Sequence, residues 1–316
     1  MSTRDNYKCN IFYNLCSYGG QYYGIFIYCD DIFLLSASRI GLQAMVSICE
    51  KFAEKYKLKF STNEDPKKSK TKCIIFSKNP AAQNEILKIK LNGKPLPYVL
   101  EVKHLGCYLQ ADNSMTHDCD IKRGQFIGKV HSLSQEFYYA SSDVQVKLYN
   151  IYTTSFFGSN LYNLFGKHCN RLFNQWNVAI RHAFKLSNLT HRYFIESISG
   201  CLHPQVLLCS RFVTFKSALT NCNKPPIRLL ASLFKEDLRT VYGKNLKNIS
   251  DRCNSSPNML TSQLIKSERT YIDVPEAERW RISTVKELMD VRDEKMELEG
   301  FSTSEVEEML NFISTA

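Results

Sequence analysis

Tyr22-Tyr23-Gly24-Ile25-Phe26-Ile27-Tyr28-Cys29-Asp30-Asp31-Ile32-Phe33-Leu34-Leu35-Ser36 reads as two apolar strands, Tyr22 to Tyr28 and Ile32 to Leu35, joined by a short acidic turn. β-branched and aromatic residues dominate both runs, which favours extended backbone. Carboxylates beside apolar strands need a compensating charge, because burying them unpaired costs several kcal/mol. A hard divalent cation supplies it: Mg2+ prefers carboxylate oxygens, and two ions about 3.5–4 Å apart can activate one oxygen and steady another in phosphoryl chemistry. Asp30 and Asp31 are therefore the first candidates for metal ligands. Asp-Asp alone is also a common solvated turn, so its setting between two apolar strands and a helix carries the weight.

Outward from the hairpin, Ser36 to Ser38 provide a polar break and a helix cap. Leu42, Met45, Val46, Cys49, Phe52, Ala53 and Tyr56 then recur at helical spacing, which predicts a helix over Arg39 to Lys57. Leu58 to Phe60 and Cys73 to Phe76 read as two short strands flanking a loop that holds Lys67, Lys68, Lys70 and Lys72. Between Lys88 and Leu109 come further extended pieces, with Asn92-Gly93 as a turn signal and Gly106 behind Leu105.

The period changes after Asp118. Helices are predicted over Ile121 to Tyr139, Ser142 to Phe157, His168 to Lys185 and Pro204 to Leu219, interrupted by the Pro225-Pro226 loop before another short helix. Trp176, Phe173 and Phe184 lie at core spacing. Residues 241–265, rich in Asn, Ser and Lys, read as a connector. The tail, 266–316, holds two amphipathic segments, Arg281 to Leu298 and Ser302 to Ile313. The predicted class is α+β: an antiparallel hairpin plus helix over 1–110, a mostly helical region over 111–240, the connector and the acidic tail.

Composition narrows the function. In 316 residues, 44 % hydrophobic and 23 % charged, with 13 Gly and 9 Pro, neither disordered nor collagen-like classes fit. No apolar run approaches a membrane span and the opening residues lack a signal-peptide core, so no membrane partner and an intracellular location are expected. The 12 cysteines include no Cys-x-x-Cys pair, so reduced thiols are expected and no zinc site. From Lys266 onward 7 basic residues face 13 acidic ones, which leaves 34 basic against 18 acidic on residues 1 to 265. An excess of that size favours phosphate backbones through counterion release.

Tyr28-Cys29-Asp30-Asp31-Ile32-Phe33-Leu34-Leu35-Ser36 resembles the Tyr-x-Asp-Asp signature of reverse transcriptases. The resemblance continues in order through blocks similar to non-LTR (LINE-type) retrotransposon enzymes. These are Gly41-Leu42-Gln43; Leu58-Lys59-Phe60-Ser61-Thr62 with Lys68-Ser69-Lys70-Thr71-Lys72-Cys73; and Leu91-Asn92-Gly93 with Val102-Lys103-His104-Leu105-Gly106. Asn150-Ile151-Tyr152, Phe157-Gly158-Ser159, Trp176-Asn177-Val178-Ala179 with Arg181, Thr190-His191-Arg192, and Leu288-Met289-Asp290-Val291-Arg292-Asp293 follow. The resemblance implies a partial polymerase palm carrying the hairpin, then a helical thumb-like region.

It further implies an RNA-directed DNA polymerase working by two-metal nucleotidyl transfer. Asp30 would be a ligand of Mg2+ (or Mn2+) and Asp31 a neighbouring carboxylate. One of Lys68, Lys70 and Lys72, with Lys70 nearest the motif, would assist pyrophosphate departure. Tyr28, Lys103 and His104 would lie beside the primer, and Lys122 and Arg123, with Lys129 and Lys147, along template–primer phosphates. RNA template and DNA primer are the implied partners. The family carries a further metal-binding aspartate and its fingers ahead of the hairpin, whereas 27 residues precede Tyr28 here. The chain is accordingly expected to be inactive alone, to need a protein supplying the missing palm, and to belong to a nuclear or cytoplasmic ribonucleoprotein. A non-catalytic nucleic-acid binding or interaction module is the alternative. An incomplete sheet would also expose the face formed by Ile25, Ile27, Phe33 and Leu35, and so limit solubility.

Overall fold

The computed structural model describes residues 16–63, 65–77, 88–190, 194–199 and 201–268. They form a mixed α+β structure in which every sheet is a two-stranded antiparallel hairpin among the described residues. The chain divides into two compact units. One holds the residues up to Ser114 together with Thr220–Ser232; the other holds Met115–Leu219 and the chain from Leu233 onward.

In the first unit, β1 (Ser17–Tyr18) pairs with β2 (Gln21–Tyr22), and β3 (Ile25–Tyr28) with β4 (Asp31–Leu34). The run predicted as one strand from Tyr22 to Tyr28 is thus broken, because it changes partner. The Tyr23 N–H donates to Cys16 O at 2.7 Å, whereas Gly24 O accepts from Leu35 N at 2.8 Å. A side chain at Gly24 would collide with the Tyr22 ring folded over it. Helix α1 (Arg39–Lys55) follows, its first turn capped by Ser38, whose Oγ accepts from the Gly41 N–H at 3.1 Å.

The Asn92-Gly93 signal is realised as the two-residue turn between β5 (Lys90–Leu91) and β6 (Lys94–Pro95), with φ of 52° and 76°. Leu105-Gly106 joins β7 (Glu101–His104) to β8 (Cys107–Gln110) in the same left-handed geometry, φ 45° and 80°. The strands expected at Leu58 to Phe60 and Cys73 to Phe76 are not formed. Leu58 is exposed, and Cys73 alone makes a bridge, to Tyr98. Propensity supplies no ladder without a neighbour. The core of this unit is small: Val46, Cys73, Ile89, Leu91 and Leu96, with Leu34, Leu42, Phe60 and Tyr98 half-buried against it.

The second unit is helical: α2 (Thr116–Glu136), α3 (Ser142–Tyr152), a 3-10 turn at Ser159–Leu161, α4 (Lys167–Ala183), α5 (Ile195–Ser199) and α6 (Pro204–Thr220). Helix α7 (Pro225–Glu236) belongs for its first eight residues to the first unit, and α8 (Val241–Arg252) and α9 (Ser262–Glu268) complete the second. Helix α3 stops five residues before the predicted end because Thr153 and Thr154 turn their hydroxyls back onto the carbonyls of Tyr149 and Asn150, both at 2.6 Å. Phe126, Leu164, Leu172, Ile180, Leu208 and Phe212 are buried to 2 % exposure or less, and Trp176 and Phe173 join them as expected.

The connector expected over 241–265 is a correction. Residues Val241–Arg252 form α8, capped by Thr240, whose Oγ1 accepts from Gly243 N at 3.0 Å. Leu246 and Ile249 enter the core at helical spacing, and the polar Asn245 beside them is wholly buried. The segments Arg281 to Leu298 and Ser302 to Ile313 lie outside the described residues. No helix among the described residues is long and apolar enough to cross a membrane.

Candidate nucleic-acid and metal site

In the β3–β4 hairpin Tyr28 stands opposite Asp31, Phe26 opposite Phe33, Ile25 opposite Leu34 and Ile27 opposite Ile32. Side chains alternate across a strand and pair across a ladder. Phe26, Tyr28, Asp31 and Phe33 therefore share one face, and Ile25, Ile27, Ile32 and Leu34 the other. This corrects the grouping of Phe33 with Ile25 and Ile27, because a two-residue connection reverses the parity between strands. Ile27 and Tyr28 are each 64 % exposed, and Ile25, Phe26 and Ile32 are exposed as well.

Cys29 and Asp30 make the turn, with Cys29 at φ 51° in the left-handed region. Asp30 projects from the turn and Asp31 opens β4, so the two carboxylates occupy different stations, both exposed. Asp31 is the one on the aromatic face. From there the rings run onward: Phe26 to Phe33 at 6.3 Å between centroids, then Phe33 to His104 of β7 at 5.2 Å. The hairpin and the Lys103-His104 strand are thereby in contact. Lys103 is adjacent to His104 on the strand and points to the opposite side, its Nζ 5.6 Å from the ring centroid of Tyr108 across the ladder.

The lysine loop is pinned from within. Ser69, 3 % exposed, donates to Thr71 O at 2.6 Å and accepts from Asn63 N at 3.2 Å, while Asp65 Oδ1 accepts from the Lys67 N–H at 2.9 Å. Lys68 and Lys70 are left exposed and Lys72 half-buried. No ion pair or hydrogen bond among the described residues joins these lysines to Asp30 or Asp31. Lys122 and Arg123 lie on α2, in the other unit, and Arg123 faces Asp120 at 3.5 Å.

The metal test is set by donor chemistry. Mg2+ seeks octahedral oxygen coordination, usually shared between carboxylates, substrate phosphates and water. Among the described residues no group of three or more His, Cys, Asp or Glu side chains gathers where an ion could sit. Two exposed carboxylates at different stations do not complete the site that the resemblance implies.

Sequence reading passed over two contacts that set this geometry. Gln43 of α1 accepts from the Lys90 N–H and donates to Lys90 O, both at 2.8 Å. Glu50, two turns on, accepts from the Asn92 N–H. The helix after the hairpin is thus fastened to β5 and its turn by side chains whose only sequence signal was i, i+7 placement on one face. In comparisons with protein families, curated proteins and solved structures, nothing matches this chain.

Proposed function

We propose that this chain is a carboxyl-terminal portion of a non-LTR (LINE-type) reverse transcriptase that contacts an RNA–DNA template–primer duplex without polymerising alone. The observation that carries the reading is the Tyr28-Cys29-Asp30-Asp31 hairpin, with Asp31 on the aromatic face that continues through Phe33 to His104. Tyr28 and the β7 strand would flank the primer end, and Lys103, Lys68, Lys70 and Lys72 would meet phosphates. Asp30 and Asp31 would take Mg2+ or Mn2+ once another chain or segment supplies a further carboxylate. The exposed hairpin is where a protein completing the palm would join. The absence of a third ligand among the described residues favours a second reading, a nucleic-acid binding module without catalysis.

Primer extension on an RNA template annealed to a DNA primer, with Mg2+ or Mn2+, tests this directly. The expected result is no extension by the chain or by an Asp30→Asn, Asp31→Asn variant, with duplex binding that weakens as salt rises. Lys103→Gln should reduce that salt dependence. Extension by the chain that disappears in the double variant would overturn the inactive reading. A folded chain with no salt-dependent duplex affinity would overturn both readings.

A further inference from the structure

In the second unit the chain leaves α2 through Phe137-Tyr138-Tyr139-Ala140 before α3 begins. The Ala140 N–H donates to Phe137 O at 3.0 Å, and the Gln145 side-chain amide donates to the carbonyls of both Phe137 and Ala140 at 3.1 Å. Two tyrosines are thereby held at the surface between pinned carbonyls. Their rings meet edge to face, centroids 5.0 Å apart and planes at 88°. Tyr139 is 97 % exposed, and the Lys185 ammonium, just beyond α4, lies 4.0 Å from the Tyr138 centroid. Along the same helix pair the exposed rings of His131 and His182 meet at 5.3 Å. Beneath them, Tyr149 packs against Phe184 at 5.6 Å and shares a 2.7 Å hydrogen bond with Ser134.

A ring so exposed adds nothing to the core, yet it offers a flat apolar face whose burial is favourable. We propose that Tyr138, Tyr139 and Lys185 form a stacking site for an unpaired base of a single-stranded nucleic acid, with Lys185 beside its phosphate. Every base carries a π-face, and only unpaired strands leave it free to stack on a side chain. Lys185 covers Tyr138, so the open face belongs to Tyr139. The charge around the site limits the backbone contribution: Glu136 is exposed at the end of α2, and the carboxyl ends of α2 and α4 carry partial negative charge. Stacking therefore carries the affinity, with about one phosphate contact. The site stands independently of the duplex contact proposed for the hairpin.

Fluorescence anisotropy of a labelled single-stranded oligoadenylate with the full chain provides the test. Tyr139→Ala should weaken binding about tenfold or more, Tyr139→Phe should retain it, and the slope of log affinity against log salt should be about −0.7. Duplex binding should be unchanged in Tyr139→Ala, and so should the thermal midpoint, since this ring is outside the core. Equal oligoadenylate affinity of Tyr139→Ala and the parent chain would overturn the proposal. So would a Tyr139→Phe variant as weak as Tyr139→Ala, which would assign the effect to the hydroxyl. Loss of self-association in Tyr139→Ala, with oligoadenylate affinity intact, would assign the rings to a second copy of the chain and overturn it as well.

Discussion

Asn245 holds two backbone groups that water cannot reach: its Nδ2 donates to Tyr162 O at 2.7 Å and its Oδ1 accepts from Leu164 N at 3.0 Å, the residue being fully buried. Asn245→Ala leaves both unpaired, and at about 1–3 kcal/mol for each buried group the second unit should lose about 2–6 kcal/mol of stability in urea unfolding. A polar residue on an otherwise amphipathic helix carries no sequence sign that it is clamping a loop 81 to 83 positions earlier, and for that reason α8 reads as a connector. The neighbouring Tyr162 hydroxyl donates to buried Asp118 at 2.5 Å, and burial together with that carboxylate pushes its ionisation far above the ordinary tyrosine range. Cys201 and Cys209 are pushed by burial from 9.0 up to about 12. Their thiols ionise in the unfolded chain from pH 9 upward but stay protonated in the fold. The stability they contribute is complete below pH 9 and is lost as pH rises towards 12. Thermal midpoints at about pH 8 and about pH 10 should therefore fall steeply in the parent chain and less so in Cys209→Ala.

Each hairpin depends on two residues at its turn. Asn92-Gly93 was legible because both residue types tolerate left-handed backbone. The Cys29 turn was legible only from the polarity of its surroundings, since a cysteine at φ 51° is an unfavourable choice. A left-handed non-glycine residue costs about 1–2 kcal/mol, so Cys29→Gly should slow amide exchange across β3 and β4 and stabilise the hairpin by about 1 kcal/mol. Helix α1 was legible in extent and cap, yet its apolar stripe misleads. Met45, Val46 and Ala53 are buried, while Ile40, Ile48, Phe52 and Tyr56 remain exposed. Periodicity identifies an apolar face, whereas burial depends on which neighbour packs there. The same lesson explains the missing strands at 58–60 and 73–76. The site was legible at the carboxylates, whose adjacency is written in the chain, and illegible at the Phe33–His104 contact, which joins residues far apart in sequence.

The two units draw on cores of very different size, five buried side chains around Val46 against the large helical cluster around Leu172 and Phe212. Calorimetry should resolve a weaker transition for the first unit. Val46→Ala should lower that transition alone. Leu172→Ala, at about 2–5 kcal/mol for a buried leucine, should lower the other. The second unit holds the buried Trp176 and the Asn245 clamp, and an apolar count from sequence cannot apportion the core between units. Lys90 stands opposite Pro95 at the station next to the 2.8 Å bond from Leu96 N to Ile89 O, so its own N–H and C=O face away from β6 and would stand open were the Gln43 amide not seated on both. The side chain acts as a chain terminator: it mimics one peptide unit of a further strand and then ends. Strand-by-strand growth of a filament is therefore blocked at β5, and Gln43→Ala would unseal it.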